Sequence, residues 1–129
     1  MKHLNKFLLV ILSTIVFNCV QDTKLKTITL KVDTRYLTNP TTIGVRGNTA
    51  PLNWERSMTM SDTDNDGIYE TTFNLNSASY NMQFKFVLND SVFELEGYNN
   101  RSIVFEYKPE TIIYQGVFNN PEEISVTKN

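Results

Sequence analysis

The sequence has a single histidine, His3, and a single cysteine, Cys19, and both lie near the N-terminus. Histidine is the usual general base near neutral pH, and histidine and cysteine are the usual ligands of zinc. The rest of the chain therefore cannot supply a Ser/His or Cys/His catalytic pair or a zinc site of the common kind. One cysteine also excludes a disulfide within the chain.

The sequence shows neither an excess of positive charge nor a bias toward glycine and proline. Lysine and arginine number 12 against 14 aspartates and glutamates, which gives a net charge of −2. A protein that holds a phosphate backbone usually has a basic surface, so nucleic acid is not an expected partner. The 129 residues are 40% hydrophobic with 5 glycines and 4 prolines, which is typical of one globular domain.

Residues 1–18 have the pattern of a signal peptide. Lys2 and Lys6 precede an apolar run over residues 7–17. The run is shorter than the about 20 residues needed to span a bilayer. Residues 16–19 resemble the lipobox of bacterial lipoproteins, which implies that Cys19 is acylated and becomes the first mature residue. We therefore expect an exported cell-envelope protein, an outer-membrane lipoprotein held to the membrane by its lipid anchor. The alternative is a plain secretory signal cut nearby.

From residue 27 onward the hydrophobic pattern has period two, which is typical of β-strands. The side chains that share one face of each main predicted strand are Ile28, Leu30 and Val32; Ile43 and Val45; Tyr69, Thr71, Phe73 and Leu75; Met82, Phe84, Phe86 and Leu88; and Ile103, Phe105 and Tyr107. Asp66-Gly67 and Asn89-Asp90 are dipeptides that suit tight turns between strands. No helical pattern follows the first 18 residues.

These strands predict an all-β fold, an immunoglobulin-like antiparallel β-sandwich of about seven strands over residues 27–118. Residues 21–26 are polar and short, so residues 19–26 predict a tether, and residues 119–129 predict either a frayed tail or a short edge strand. We expect Phe84 and Phe86 to lie in the core, and Arg101 to pair with a carboxylate or cap a loop.

An acidic turn over Asp62–Gly67 imitates the first half of a calcium loop. It has oxygen ligands at the first, third and fifth positions and glycine at the sixth. The second half does not follow, because Phe73 stands where a bidentate glutamate is needed. An exposed hairpin turn uses the same residue types. We therefore expect an ordinary turn, with no metal and no cofactor.

Several short segments together carry a resemblance to a known family. In order they are Val45-Arg46-Gly47-Asn48 with Leu52-Asn53-Trp54, Gly67-Ile68-Tyr69-Glu70, Gln83-Phe84-Lys85-Phe86-Val87, Phe93-Glu94 and Asn100-Arg101. Their order and spacing are similar to those of starch-binding carbohydrate-binding modules of family 20 and their immunoglobulin-like relatives in bacterial polysaccharide-degrading systems. The resemblance covers roughly half of the chain.

In that family two tryptophans, a lysine and an asparagine form one surface site for α-glucan. The resemblance places Trp54, Lys85 and Asn100 at three of these positions. Phe93 takes the place of the second tryptophan and offers a smaller ring. An insertion before Asn100 leaves the register open by a residue or two, and in the other register Leu95 occupies that place.

A sugar-binding surface also needs polar groups that orient the sugar. One face of a pyranose presents C–H bonds that pack on an aromatic ring, while its hydroxyls seek directional donors and acceptors. Glu94 is a candidate acceptor, and Tyr98 lies in the same loop as a candidate second ring. The predicted carbohydrate-binding residues are Trp54, Lys85, Phe93, Glu94, Tyr98 and Asn100.

These residues support three hypotheses. The first is a non-catalytic module, not an enzyme, that binds α-glucan of starch or glycogen type beside polysaccharide-degrading enzymes. The second is a structural or protein-interaction domain whose aromatic side chains, Trp54 included, all lie in the core. The third is a glycosidase, which needs two carboxylates about 5 to 10 Å apart in a cleft that a small sandwich seldom encloses. An exposed coplanar pair of rings would favour the first hypothesis over the second.

Overall fold

A computed structural model describes residues 19–40 and 42–129, so the predicted signal peptide lies outside the described residues. The described residues form nine strands: β1 Lys24–Asp33, β2 Ile43–Gly47, β3 Met58–Thr59, β4 Ile68–Ser77, β5 Asn81–Leu88, β6 Val92–Phe93, β7 Arg101–Val104, β8 Glu110–Val117 and β9 Asn120–Lys128. Within these two ranges, the structure has no helix of the length and apolarity needed to cross a membrane.

The strands form two sheets. The first has the order β4-β1-β8-β9, and the second has the order β3-β2-β5, with β6 and β7 pairing with different parts of the far edge of β5. The predicted all-β, immunoglobulin-like sandwich is confirmed. Two of the nine strands, β3 and β6, have only two residues each, and β3 is too short for a period-two pattern to reveal. Among the described strands, β1 and β8 are the one parallel pair, which the antiparallel prediction did not include.

The core lies between the facing sides of the two sheets. Ile28, Leu30 and Val32 of β1 are buried, as period two requires, and so are Phe84 and Phe86 of β5. The ring of Phe84 packs edge-on against Phe86 and against Tyr114 of β8, with centroid distances of 5.6 and 5.0 Å. The expectation that Phe84 and Phe86 lie in the core is confirmed.

Strands lie near both ends of the described chain. β1 begins at Lys24, opposite Ser77, so the prediction of a tether over 19–26 is wrong for its last three residues. Lys26 is buried, and its Nζ lies 2.6 Å from Oε2 of Glu110, whose negative charge stabilises an ammonium that water no longer reaches. At the other end, β9 pairs with β8 and forms an edge strand.

Candidate functional site

The outer face of the second sheet carries several of the predicted site residues. Arg46 of β2 and Lys85 of β5 are direct cross-strand partners, so their side chains share this face. Val87, two residues after Lys85, lies on the same face, and its partner on the other side is Phe93 of β6. The register of the sheet therefore places Lys85 and Phe93 together.

The two predicted rings form a pair on this face. The ring centroids of Trp54 and Phe93 lie 6.5 Å apart, and the ring planes are tilted by 42°. Each of the two side chains is 38% exposed. Trp54 therefore lies at the surface and not in the core. The rings are exposed but tilted, so the pair is not the coplanar one that would favour the first hypothesis over the second.

The loop between β2 and β3 presents Trp54. Leu52 is buried in the core and anchors the loop. The carbonyl oxygen of Asn53 accepts a hydrogen bond from the Gly47 amide at 3.3 Å, and its side-chain oxygen accepts bonds from the amides of Glu55 and Arg56. These contacts fix the backbone on both sides of Trp54.

Arg46 holds the ring pair together, and sequence reasoning missed it. Its guanidinium donates to Oγ of Ser57 at 3.0 Å, to the carbonyl oxygen of Trp54 at 3.3 Å and to the carboxylate of Asp90 at 2.9 Å. The same group lies 5.2 Å from the centroid of the Phe93 ring, within cation–π distance. The hydrogen bond from Arg46 lowers the pKa of Asp90, so this carboxylate stays ionised.

Lys85 fixes the loop that follows β6. Its Nζ donates to the carbonyl oxygens of Leu95 at 2.9 Å and Tyr98 at 3.1 Å. These bonds use two of the three ammonium hydrogens. Leu95 is buried, so the alternative register that places Leu95 in the ring pair does not hold, whereas the Tyr98 side chain is 64% exposed.

Asn100 lies at the end of the same loop. Its amide nitrogen donates to Oε1 of Gln83 at 3.2 Å. Gln83 shares the outer face with Lys85 because the two residues are two positions apart on β5. The structure therefore brings Trp54, Lys85, Phe93, Tyr98 and Asn100 onto or beside one face.

Glu94 does not lie on this surface, contrary to the expectation. It is buried, and its carboxylate forms two hydrogen bonds with Arg101, at 2.6 and 2.8 Å. It also accepts the amide hydrogens of Phe86 and Asn119. Phe93 of β6 faces solvent, whereas Glu94, the residue after the strand, faces the core. The predicted pairing of Arg101 with a carboxylate is confirmed.

The ion pair of Glu94 and Arg101 anchors the loop from within. Burial alone would lower the pKa of Arg101, but its hydrogen bonds and its attraction to Glu94 and Tyr114 outweigh this effect and raise that pKa. Arg101 also donates to the carbonyl oxygen of Val117 at 2.7 Å. The pair links the loop after β6 to the first sheet.

The acidic turn lies at another part of the molecule. Carboxylate oxygens of Asp62, Asp64 and Asp66 all lie within 4.8 Å of one another. Asp62 accepts the amide hydrogens of Asp66 at 3.0 Å and Gly67 at 2.9 Å, and Gly67 has a φ of 81°. The turn therefore uses Asp62 for its two hydrogen bonds and Gly67 for its positive φ, as turns commonly do. That the turn needs no metal stays a prediction.

Cys19, the predicted lipid attachment site, is exposed and precedes β1 by a short segment outside the strands. Its acylation stays a prediction.

No sequence-family description matches this chain, and no curated protein matches it in sequence. Two solution structures resemble it in three dimensions, CBM25-1 and CBM25-2 of a β/α-amylase from Paenibacillus polymyxa. CBM25-1 has a TM-score of 0.44 and 16% identity, over 81% of this chain and 93% of that one. CBM25-2 has a TM-score of 0.44 and 14% identity, over 82% and 94%. The likeness is too low to assign a function, and the resemblance to family 20 stays a prediction.

Proposed function

We propose that this chain is a non-catalytic carbohydrate-binding module that holds α-glucan on the outer face of its second sheet. The observation that carries the proposal is the half-exposed pair of rings, Trp54 and Phe93, 6.5 Å apart. Aromatic rings left half in water offer a face on which the C–H side of a pyranose can pack. A ring pair that served only the core would be buried.

The tilt of the rings favours an α-glucan. Successive sugar rings in an α-linked glucan turn relative to one another, whereas those of a β-1,4-linked chain form a flat ribbon. Two platforms tilted by 42° fit a turning chain better than a flat one. Three polar groups on or beside this face can form hydrogen bonds with sugar hydroxyls: the Asn100 amide oxygen, the third ammonium hydrogen of Lys85 and the hydroxyl of the exposed Tyr98.

Such a site binds weakly by itself. By analogy with base stacking, each ring contributes about 1 to 3 kcal/mol. Two rings with a few hydrogen bonds then give a dissociation constant between about 1 mM and tens of micromolar. Weak modules become effective when they are held near their ligand, because the effective concentration rises.

A lipid anchor at Cys19 would supply that tethering and place the protein in the cell envelope beside polysaccharide-degrading enzymes. Residues 19–23 can reach at most about 17 Å when extended. They join β1 at Lys24, and the ten residues of β1 carry the chain about 30 Å to Asp33. The Asp33 end contacts Phe118, whose neighbour Asn119 contacts Glu94. The ring pair therefore lies toward the end away from the anchor.

Affinity gel electrophoresis in amylose, amylopectin and a β-glucan tests the proposal. We expect the α-glucans to retard the wild-type protein. Trp54→Ala and Phe93→Ala should migrate without this retardation. Tyr107→Ala is the matched control, because Tyr107 is an exposed ring in the loop between β7 and β8. Equal mobility of all four proteins in every α-glucan would refute the proposal.

The anchor has its own test. Labelling with a fatty acid in a bacterial host should mark the wild-type protein and not Cys19→Ser. A labelled Cys19→Ser variant, or an unlabelled wild type, would remove the anchor from the proposal and leave glucan binding untouched.

A further inference from the structure

A groove of about 320 Å³ lies beside the ring pair, between the loop before β7 and the edge strand β9. Ile124 and Val126 of β9 stand opposite Gly116 and Tyr114 of β8, so they face the same side as the buried Tyr114. They are nevertheless 47% and 44% exposed. The second sheet does not extend over β9, and this leaves the inward side of the edge strand open.

The lining of the groove suits a neutral ligand that has both C–H and hydroxyl groups. Its apolar floor includes Ile124 and Val126, and its rim includes the side chains of Tyr98, Asn100 and Ser102. Arg101 is the one charged residue among the described residues that line it, and Glu94 neutralises Arg101.

Two other cavities of the described molecule have several charged groups in their lining and contrast with this groove. One is lined by Lys31, Asp64, Asp66 and Glu70, and another by Asp33, Arg35 and Glu123. An apolar floor with a few uncharged polar groups at the rim is the usual lining of a site for a small neutral molecule.

The groove is continuous with the surface that carries the rings. The Nζ of Lys85 holds the carbonyl oxygens of Leu95 and Tyr98, and both of these residues line the groove. Asn100 also lines the groove while its amide binds Gln83 on the outer face of the sheet. The loop thus borders both the groove and the surface that carries the rings.

We infer that this groove binds further glucose residues of the α-glucan chain whose neighbouring residues pack on Trp54 and Phe93. The inference rests on the proposed function. It predicts that the affinity of the module rises with the length of the glucan chain, because a short oligosaccharide fills only the ring pair and a longer one fills both the ring pair and the groove.

Isothermal titration calorimetry with maltotriose and maltoheptaose tests the inference. We expect Tyr98→Ala and the double variant Ile124→Ala, Val126→Ala to bind maltoheptaose about fivefold more weakly, the loss expected for the apolar contact removed. The affinity of the β9 double variant for maltotriose should equal that of the wild type, whereas Tyr98→Ala, whose hydroxyl also lies beside the ring pair, should weaken the binding of maltotriose less than that of maltoheptaose. Ile113→Ala is the matched control, because Ile113 is 40% exposed on neighbouring β8 but pairs with Thr127 on the opposite face.

The outcomes separate the two proposals. If the wild type binds maltoheptaose and both groove variants bind it equally well, the groove inference is overturned and the ring site stands. If the wild type binds neither sugar, both are overturned. The exposed Tyr98→Ala variant keeps the test valid if the β9 double variant fails to fold. Sedimentation velocity tests whether a second copy of this chain occupies the groove. If the wild type is a dimer and the β9 double variant is a monomer, the groove is a dimer interface and the inference is overturned.

Discussion

The guanidinium of Arg46 lies 5.2 Å from the centre of the Phe93 ring and donates a hydrogen bond to the carbonyl oxygen of Trp54. One side chain from the middle of the sheet thus contacts both halves of the ring pair. Trp54 lies in the loop between β2 and β3, and Phe93 lies in β6, on the other side of β5 in the same sheet. Their mutual geometry therefore depends on Arg46.

We expect Arg46→Lys to weaken α-glucan binding although both rings remain. A lysine ammonium cannot donate to Ser57, Trp54 and Asp90 in the geometry of the guanidinium fork, and it stacks less well on a ring. The loss should be about 1 kcal/mol, or about fivefold in dissociation constant. Titration with maltoheptaose measures it, and Arg35→Lys, which alters the pair of the exposed Arg35 with the buried Asp33, is the control. Unchanged affinity in Arg46→Lys would show that the rings hold their own positions.

The buried pair of Glu94 and Arg101 predicts an asymmetric cost of mutation. Arg101→Met leaves an ionised carboxylate buried without its partner, which should lower the free energy of unfolding by about 3 to 5 kcal/mol. The double variant Glu94→Leu, Arg101→Met removes both charges and should recover much of that loss. Urea unfolding of the two variants and the wild type measures the difference. A double variant no more stable than Arg101→Met would contradict this account.

The strands and the core could be predicted from the sequence because most of the strands are long enough to show a hydrophobic pattern of period two. β1 and β4 have ten residues each, and their buried positions alternate as the pattern requires. β6 has only two residues, both exposed, so no alternation within the strand tells whether the following Glu94 faces inward or outward. That choice depends on Arg101, which comes from another strand and neutralises Glu94 in the core.

The role of Arg46 was hidden for a similar reason. The alternation of β2 indicates only that Arg46 points away from the buried Val45. Its partner Asp90 lies in a turn 44 residues later, and the chain must fold before the two meet. The sequence predicts a tether at Lys26, because charged residues are rarely buried. Its burial depends on Glu110, which the parallel pairing of β1 and β8 brings opposite to it.

The pair of Lys26 and Glu110 predicts a loss of stability in acid. Burial would raise the pKa of Glu110, but hydrogen bonds from Lys26 and the Glu106 amide, with the charges of Lys26 and Lys128, outweigh it and lower that pKa. A lowered pKa means that ionised Glu110 stabilises the fold above the ordinary pKa of glutamate. This contribution is lost as the pH falls through the lowered value.

We therefore expect Glu110→Gln to be less stable than the wild type at neutral pH and to lose less stability on acidification. Urea unfolding across a series of pH values between neutral and strongly acidic measures both effects. Glu55→Gln is the control, because Glu55 is exposed and its side chain has no hydrogen bond among the described contacts. Parallel stability curves for the wild type and Glu110→Gln would contradict the assignment.

The acidic turn predicts a structural role for Asp62 that is independent of calcium. The Asp62 carboxylate accepts two amide hydrogens of the turn, so Asp62→Ala should lower the free energy of unfolding by about 1 to 2 kcal/mol. Asp62→Asn keeps one acceptor oxygen and should lose less. The melting temperature of the wild type should be the same in chelator and in millimolar calcium. A rise in calcium that Asp62→Ala abolishes would show instead that the three carboxylates bind the ion.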